Sequence, residues 1–117
     1  MTANTKLNSN IKKILNDGKA ENIVSIPLEG KSSIADYMII ANGTSSRHIT
    51  ALSNQISTKL KKLGLQIFSI EGQREGNWIL VDAGDVIIHL FREEVREFYN
   101  LDKMWSAPLD NVLEENI

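Results

Sequence analysis

Cysteine is absent from this chain of 117 residues. Disulfide bonds and thiolate metal sites are therefore excluded, and a reducing compartment is the natural setting. Long apolar runs are absent as well, because none approaches the roughly 20 residues of a membrane-spanning helix. The N-terminus has neither the apolar segment of a signal peptide nor the arginines of an organelle transit peptide. Together these absences predict a cytoplasmic protein.

The small net charge of −2 conceals an asymmetry along the chain. Residues 1–70 carry nine Lys or Arg and four Asp or Glu, a net of +5. Residues 71–117 carry four Lys or Arg and eleven Asp or Glu, a net of −7. An acidic half repels nucleic acid and attracts a basic partner. The need for charges on solvated helix faces explains the acidic residues of the tail. It explains Asp82 and Asp85 less well, because these two residues flank a turn between apolar strands.

The hydrophobic pattern predicts the order αββαβββα, which is an α/β sandwich on a mixed sheet. We expect helices at about 5–17, at 49–63 and after Phe91, and strands at 22–28, 37–41, 65–70, 78–82 and 86–91. The connection 71–77 is too short for a helical crossover, so the third and fourth strands should be antiparallel. A two-residue turn, Ala83–Gly84, should make the fourth and fifth strands a hairpin.

Glycine and proline mark the predicted ends of several elements. Gly18 is expected to supply the left-handed residue after the first helix, and Gly64 ends the second. Pro27 has no N–H group to donate to a neighbouring strand. The first strand is therefore expected to be an edge strand, or to end at Pro27. Residues 37–41 are apolar throughout and should be buried on both faces. In the last helix, Phe91 and Val95 begin an apolar stripe, and Glu93 and Glu94 suit its first turn.

The loop 43–46 offers free backbone N–H groups at a helix N-terminus, beside Arg47 and His48. It is either an anion site or an ordinary N-cap formed by Thr44 or Ser45, and we favour the N-cap. A positive charge is disfavoured in the first turn, so His48 is expected to be neutral and to form a local hydrogen bond.

A Gly-Ser turn between a strand and a helix is also typical of nucleotidyltransferases. Those enzymes hold magnesium with an Asp-x-Asp pair on the following strand. Here the strand 66–70 has no carboxylate, and Asp82 and Asp85 are three residues apart across a turn. Two histidines without cysteine give no metal spacing. We therefore expect no metal, no cofactor and no catalysis, although the fold can be shared.

Two further residues stand out on the fourth and fifth strands. Trp78 shares a strand face with Leu80 and Asp82, and is either an anchor for a partner or part of the core. The alternation with Asp82 favours partial exposure. His89 shares a strand face with Asp85. It either pairs with Asp85 or with another neighbour, or it is a half-buried histidine whose hydrogen bonds are satisfied. Both interpretations stand.

Four segments together resemble the ribosomal silencing factor (Iojap-like) family: Ala35–His48, Glu71–Gly72, Gly76–Trp78 and Asp82–Trp105. The resemblance covers about residues 5–106, so we expect one domain at 1–106 and a flexible acidic tail at 107–117. It implies an inactive nucleotidyltransferase-like fold that binds ribosomal protein number fourteen of the large subunit. It further implies that the protein blocks joining of the small subunit and lowers translation when nutrients are scarce, and that it can self-associate as members of the family can.

On this resemblance we expect a partner-binding face on the fourth and fifth strands and the last helix. Its members are Trp78, Leu80, Asp82, Asp85, His89, Arg92, Arg96 and Tyr99. Trp78 and Leu80 would be the apolar anchors for the partner, and the two aspartates would pair with its basic groups. Any contact with ribosomal RNA should be minor and come from Arg47 or the lysines at 59, 61 and 62. The alternatives are a nucleotidyltransferase-like enzyme and a small RNA-binding module, which the net charge disfavours.

Overall fold

The computed structural model of the chain describes residues 3–28, 30 and 35–95. Its elements are α1 (Ala3–Asp17), β1 (Glu21–Pro27), β2 (Tyr37–Gly43), α2 (Ser46–Lys62), β3 (Ser69–Glu71), β4 (Trp78–Asp82) and β5 (Val86–Arg92). Residues 93–95 are helical, so the predicted order is confirmed as far as the start of the last helix. The remainder of that helix, the domain end at 106 and the tail 107–117 lie outside the described residues.

The five strands form one mixed sheet in the order β1-β2-β5-β4-β3. Only β2 and β5 run parallel, and the other three neighbouring pairs are antiparallel. The predicted antiparallel pairing of β3 with β4 and the β4–β5 hairpin are therefore confirmed. β1 is an edge strand that ends at Pro27, as the missing N–H of proline favours.

The sheet separates two apolar clusters, because strand side chains alternate between its faces. On the inner face, which α1 and α2 cover, Ile39, Val81 and Ile88 pack with Leu15 and Leu52 of the helices. A second cluster lies on the other side of the sheet, which we call the outer face. It contains Ile26, Leu28, Ala35, Met38, Ile40 and Phe91. Strand β2 contributes to both clusters, which confirms that it is buried on both faces.

Three local predictions need correction. β3 spans only Ser69–Glu71, because the N–H of Leu65 bonds back to the carbonyl of Leu60 and continues the helix cap. The β4–β5 connection has three residues, with Gly84 at φ +86°. After α1 the left-handed residue is Lys19, at φ 65°, and not Gly18.

Gly18 has a different role, which is to allow close packing of the end of α1 against α2. A Cβ atom on Gly18 would lie 2.6 Å from both Gln55 Oε1 and Leu52 Cδ2 of α2. The carbonyl of Gly18 accepts a hydrogen bond of 2.8 Å from His48 Nε2. His48 Nδ1 in turn accepts from the N–H of Thr44 at 2.9 Å. His48 therefore links the end of α1 to the start of α2, and it is the hydrogen-bonding residue that its position predicted.

The start of α2 is an N-cap, as favoured from the sequence. Ser45 has extended backbone angles, and its Oγ accepts the N–H of His48 at 3.0 Å. This bond satisfies one of the N–H groups that a helix start leaves without an internal partner. Within the residues that the structure describes, no helix is long and apolar enough to cross a membrane.

Candidate functional site

Three of the predicted site residues lie side by side on the outer face of β4. Trp78, Leu80 and Asp82 are half-buried, whereas the alternating Ile79 and Val81 are fully buried on the inner face. This alternation is the reason that the three side chains point away from both helices. The partial exposure predicted for Trp78 is confirmed, and this outer row presents an aromatic, an aliphatic and an acidic group in sequence.

His89 belongs to the same surface but lies beneath it. It is the cross-strand partner of Leu80, and only 8% of it is exposed. Trp78 Nε1–H donates a hydrogen bond of 2.9 Å to His89 Nδ1. The predicted pairing with a neighbour is therefore made with Trp78, and His89 is a satisfied, buried histidine.

Phe91 completes this aromatic group, although it was not among the predicted site residues. Its ring lies 5.0 Å from that of Trp78 and stacks on that of His89 at 6.0 Å with an angle of 11°. Phe91 is fully buried. Trp78 therefore rests on a packed base formed by Phe91 and His89, which fixes the orientation of its indole.

Burial lowers the pKa of His89 from 6.5 to about 4. Between these two pKa values the unfolded chain binds a proton at His89 that the folded chain does not bind. The contribution of the neutral His89 to the free energy of unfolding is therefore fully present above pH 6.5 and is lost as the pH decreases towards 4. We expect the free energy of unfolding to decrease by about 2 kcal/mol between pH 7 and pH 5. Urea unfolding at the two pH values measures this difference.

The matched control for that prediction is His89→Gln, which retains an acceptor for the indole N–H but does not titrate in this range. The decrease in its free energy of unfolding between pH 7 and pH 5 should be smaller by the amount expected for His89. An equal decrease in stability for both proteins would show that His89 is not the titrating group.

The two aspartates occupy different sides of the β4–β5 turn. Asp82 Oδ1 accepts the N–H of Gly84 at 2.9 Å, which holds the carboxylate at the end of the outer row. Asp85 is exposed, and its backbone carbonyl accepts N–H groups of Asp36 and Tyr37. It lines a groove together with Leu60 on the inner, helix-covered side. The structure therefore groups Asp82, but not Asp85, with Trp78 and Leu80.

Of the predicted arginines and Tyr99, only Arg92 is among the described residues, and it does not join the outer row. Arg92 ends β5, and alternation along the strand assigns it to the side of Leu90, not that of His89. Its guanidinium forms an ion pair of 3.0 Å with Glu94. Arg96 and Tyr99 lie outside the described residues.

A shallow notch borders the outer row at the edge of the sheet. Glu71, Gly72, Trp78 and Leu80 line this space of about 260 Å³. Glu71 and Gly72 were not included in the predicted site. The signal for them was available, because Glu71–Gly72 is one of the segments that carry the family resemblance. The notch places a carboxylate beside apolar walls, an arrangement that suits the stem and charged end of a Lys or Arg side chain.

The connection between β3 and β4 is anchored to α2. Gln73 Nε2 donates to Ser53 Oγ at 2.9 Å and to Asn54 Oδ1 at 3.1 Å. Gly76 packs so closely on Ser46 that a Cβ atom there would lie 2.7 Å from the Cβ of Ser46. Both contacts immobilise the loop that leads into Trp78, so the outer row is presented by a rigid support.

Comparisons with known proteins show the family of this chain. Residues 2–116 match the family described as "Ribosomal silencing factor during starvation". The chain is 54% identical over 92 residues to "Ribosomal silencing factor RsfS" of Zymomonas mobilis, covering 79% of this chain and 69% of that protein. It is 40% identical over 94 residues to the Bacillus subtilis protein of the same name, covering 80% of each. A crystal structure of a Chromobacterium violaceum protein superposes with a TM-score of 0.87 at 33% identity, covering 91% of this chain and 88% of that one.

A partly exposed tryptophan beside aliphatic and acidic side chains is a combination that also occurs at protein-binding surfaces. The matches show which class of protein this fold represents. The chain belongs to the ribosomal silencing factor family, a family named for the regulation of ribosomes and not for a reaction.

Proposed function

We propose that this protein binds the large ribosomal subunit through its ribosomal protein number fourteen and sterically blocks joining of the small subunit. The observation that carries the proposal is the outer row of β4, in which Trp78, Leu80 and Asp82 lie side by side and partly exposed. The family membership supplies the ribosome as the target, and the row supplies a surface with which to bind it.

The chemistry of the outer row favours a basic protein over RNA. Asp82 and the neighbouring Glu71 are carboxylates, which repel a phosphate backbone and attract lysine and arginine. Trp78 and Leu80 provide apolar area at the centre, where the side chains that dominate binding energy usually lie. A small RNA-binding module would instead present a basic stripe with aromatic groups.

The rigidity of β4 supports a steric mechanism. The strand is hydrogen-bonded to β3 on one side and to β5 on the other, and α2 holds the preceding loop through Gln73. A preformed surface loses little conformational entropy when it binds. The bound protein would then exclude the small subunit sterically, since a domain of this size would occupy space that the approaching subunit needs.

The same proposal extends to the setting of this activity. The protein would act in the cytoplasm, repress translation when nutrients are limited, and make at most a minor contact with ribosomal RNA through Arg47 and the lysines at 59, 61 and 62. Self-association through the outer row would compete with ribosome binding, because both would cover Trp78.

The test is sedimentation of purified large and small subunits with and without the protein, at a magnesium concentration that favours joining. We expect the protein to travel with the large subunit and the peak of joined ribosomes to collapse. A protein that remains at the top of the gradient, with joining unaffected, would contradict the proposal. Magnesium-dependent nucleotide turnover by the same preparation would instead support the nucleotidyltransferase-like alternative.

A further inference from the structure

A second surface lies on the helix-covered side of the sheet, between the start of α1 and the end of α2. It is a groove of about 460 Å³ with mainly apolar walls. The side chains that matter here are Leu7, Leu60, Leu63, Leu65, Phe68 and Lys6. The volume falls within the range of roughly 300–1,000 Å³ that is typical of binding pockets. The outer row lies on the opposite face of the sheet, so this groove is a separate feature.

The groove collects the exposed large hydrophobic side chains of the described region. Leu63 is 58% exposed, Leu65 38% and Phe68 61%. Single exposed apolar residues are common on protein surfaces, but three that converge on one groove indicate an interaction site. None of the three belongs to the inner core cluster or is packed against it.

Phe68 is held in place and does not simply project into solvent. Its N–H donates to the carbonyl of Asp82 at 2.8 Å. Its ring packs on Gly84 so closely that a Cβ atom there would lie 2.9 Å from Phe68 Cε2. An exposed aromatic ring with a fixed position is a suitable anchor for a partner, because little side-chain entropy is lost on binding.

The two helices that supply walls to the groove carry several lysines. Helix α2 contains no acidic residue, and its last turn carries Lys59, Lys61 and Lys62 immediately before Leu63. Of these four lysines only Lys6, on α1, is itself part of the lining, which also includes Asp85. Apolar walls that include Lys6 and adjoin the lysine-rich last turn of α2 are complementary to a chain segment that carries apolar side chains and carboxylates.

We propose that this groove is a docking site for an acidic, apolar peptide segment of a partner protein. The leucines and Phe68 would receive its apolar side chains, and the lysines would pair with its carboxylates. A phosphate backbone would use the lysines but leave Leu63 and Leu65 exposed to water, so a peptide fits the surface better than RNA. The proposal is independent of ribosome binding by the outer row.

The experiment uses the full chain and a fluorescein-labelled synthetic peptide of about twelve residues in which leucine and phenylalanine alternate with glutamate. Fluorescence anisotropy gives the affinity, and amide NMR shifts locate the contact. We expect shifts at Leu7, Leu65 and Ala83 and none at Leu80. Leu65→Ser should weaken binding about tenfold.

A matched pair of charge reversals tests the electrostatic part. Lys6→Glu should weaken binding roughly fivefold, whereas Lys12→Glu, an exposed lysine on the same helix outside the groove, should leave it unchanged. The proposal is overturned if no peptide binds, or if a peptide with lysine in place of glutamate binds equally well. It is also overturned if single-stranded RNA displaces the peptide, or if the chain self-associates and Leu63→Ser abolishes that association, since RNA or a second copy would then be the occupant.

Discussion

Trp78→Ala weakens binding to the large ribosomal subunit at least tenfold in our expectation. The indole is the largest partly exposed side chain of the outer row, and its removal also leaves His89 Nδ1 without its donor. Tryptophan is among the residues whose truncation most often costs more than about 2 kcal/mol at an interface. Pelleting assays with purified large subunits at several protein concentrations measure the effect.

Two variants separate binding from folding. Trp78→Phe keeps a ring against Phe91 but loses the indole N–H, so it should retain part of the affinity. Asp82→Asn keeps the acceptor for the N–H of Gly84 while it removes the charge. Asp82→Asn should weaken binding several-fold and reduce the salt dependence of binding. The control Glu75→Gln, in the exposed β3–β4 loop, should leave both unchanged.

Unchanged affinity in Trp78→Ala and Asp82→Asn would show that the interface lies elsewhere on the protein.

Gly72→Ala should destabilise the fold by more than about 3 kcal/mol, because two costs combine. Gly72 has φ +91°, a conformation that costs a non-glycine residue about 1–3 kcal/mol. A Cβ atom at this position would also lie 2.1 Å from the backbone carbonyl oxygen of Trp78, which cannot move without disturbing β4. Urea unfolding monitored by tryptophan fluorescence and circular dichroism gives the difference.

Gly64→Ala is the control for this prediction. Gly64 has a similar φ of +77°, but a Cβ atom added there would have no neighbour within 4 Å, so only the conformational cost applies. We expect a loss of about 1 kcal/mol. Equal losses at both positions would show that the close contact between Gly72 and Trp78 does not contribute.

The elements with a clear periodicity were predictable from the sequence. The bounds of β4, Trp78–Asp82, follow from the alternation, and α2 follows from its apolar spacing and its serine cap. β3 was predicted too early, because Leu65 and Phe68 are apolar without being in a strand. They line a groove instead of the core. Exposed apolar residues that line a surface groove resemble core residues when only the pattern is available.

The candidate site was only partly predictable, since it depends on pairing between strands. Alternation grouped Trp78, Leu80 and Asp82 correctly, but His89 and Asp85 do not share the role that their common strand face predicted. The three-residue turn places Asp85 on the groove side, and cross-strand register places His89 under Leu80. Phe91 was assigned to both the strand and the helix stripe, and the sheet pairing shows that it lies near the end of its strand, beneath Trp78.

Site-specific photocross-linking shows whether the outer row contacts ribosomal protein number fourteen. A benzoylphenylalanine placed at Leu80, in the centre of the outer row, should cross-link to ribosomal protein number fourteen on purified large subunits. The same group at Lys12, exposed on α1, should give no such product. Cross-linking to that protein from position 12 but not from position 80, or to a different ribosomal component from position 80, would contradict the account.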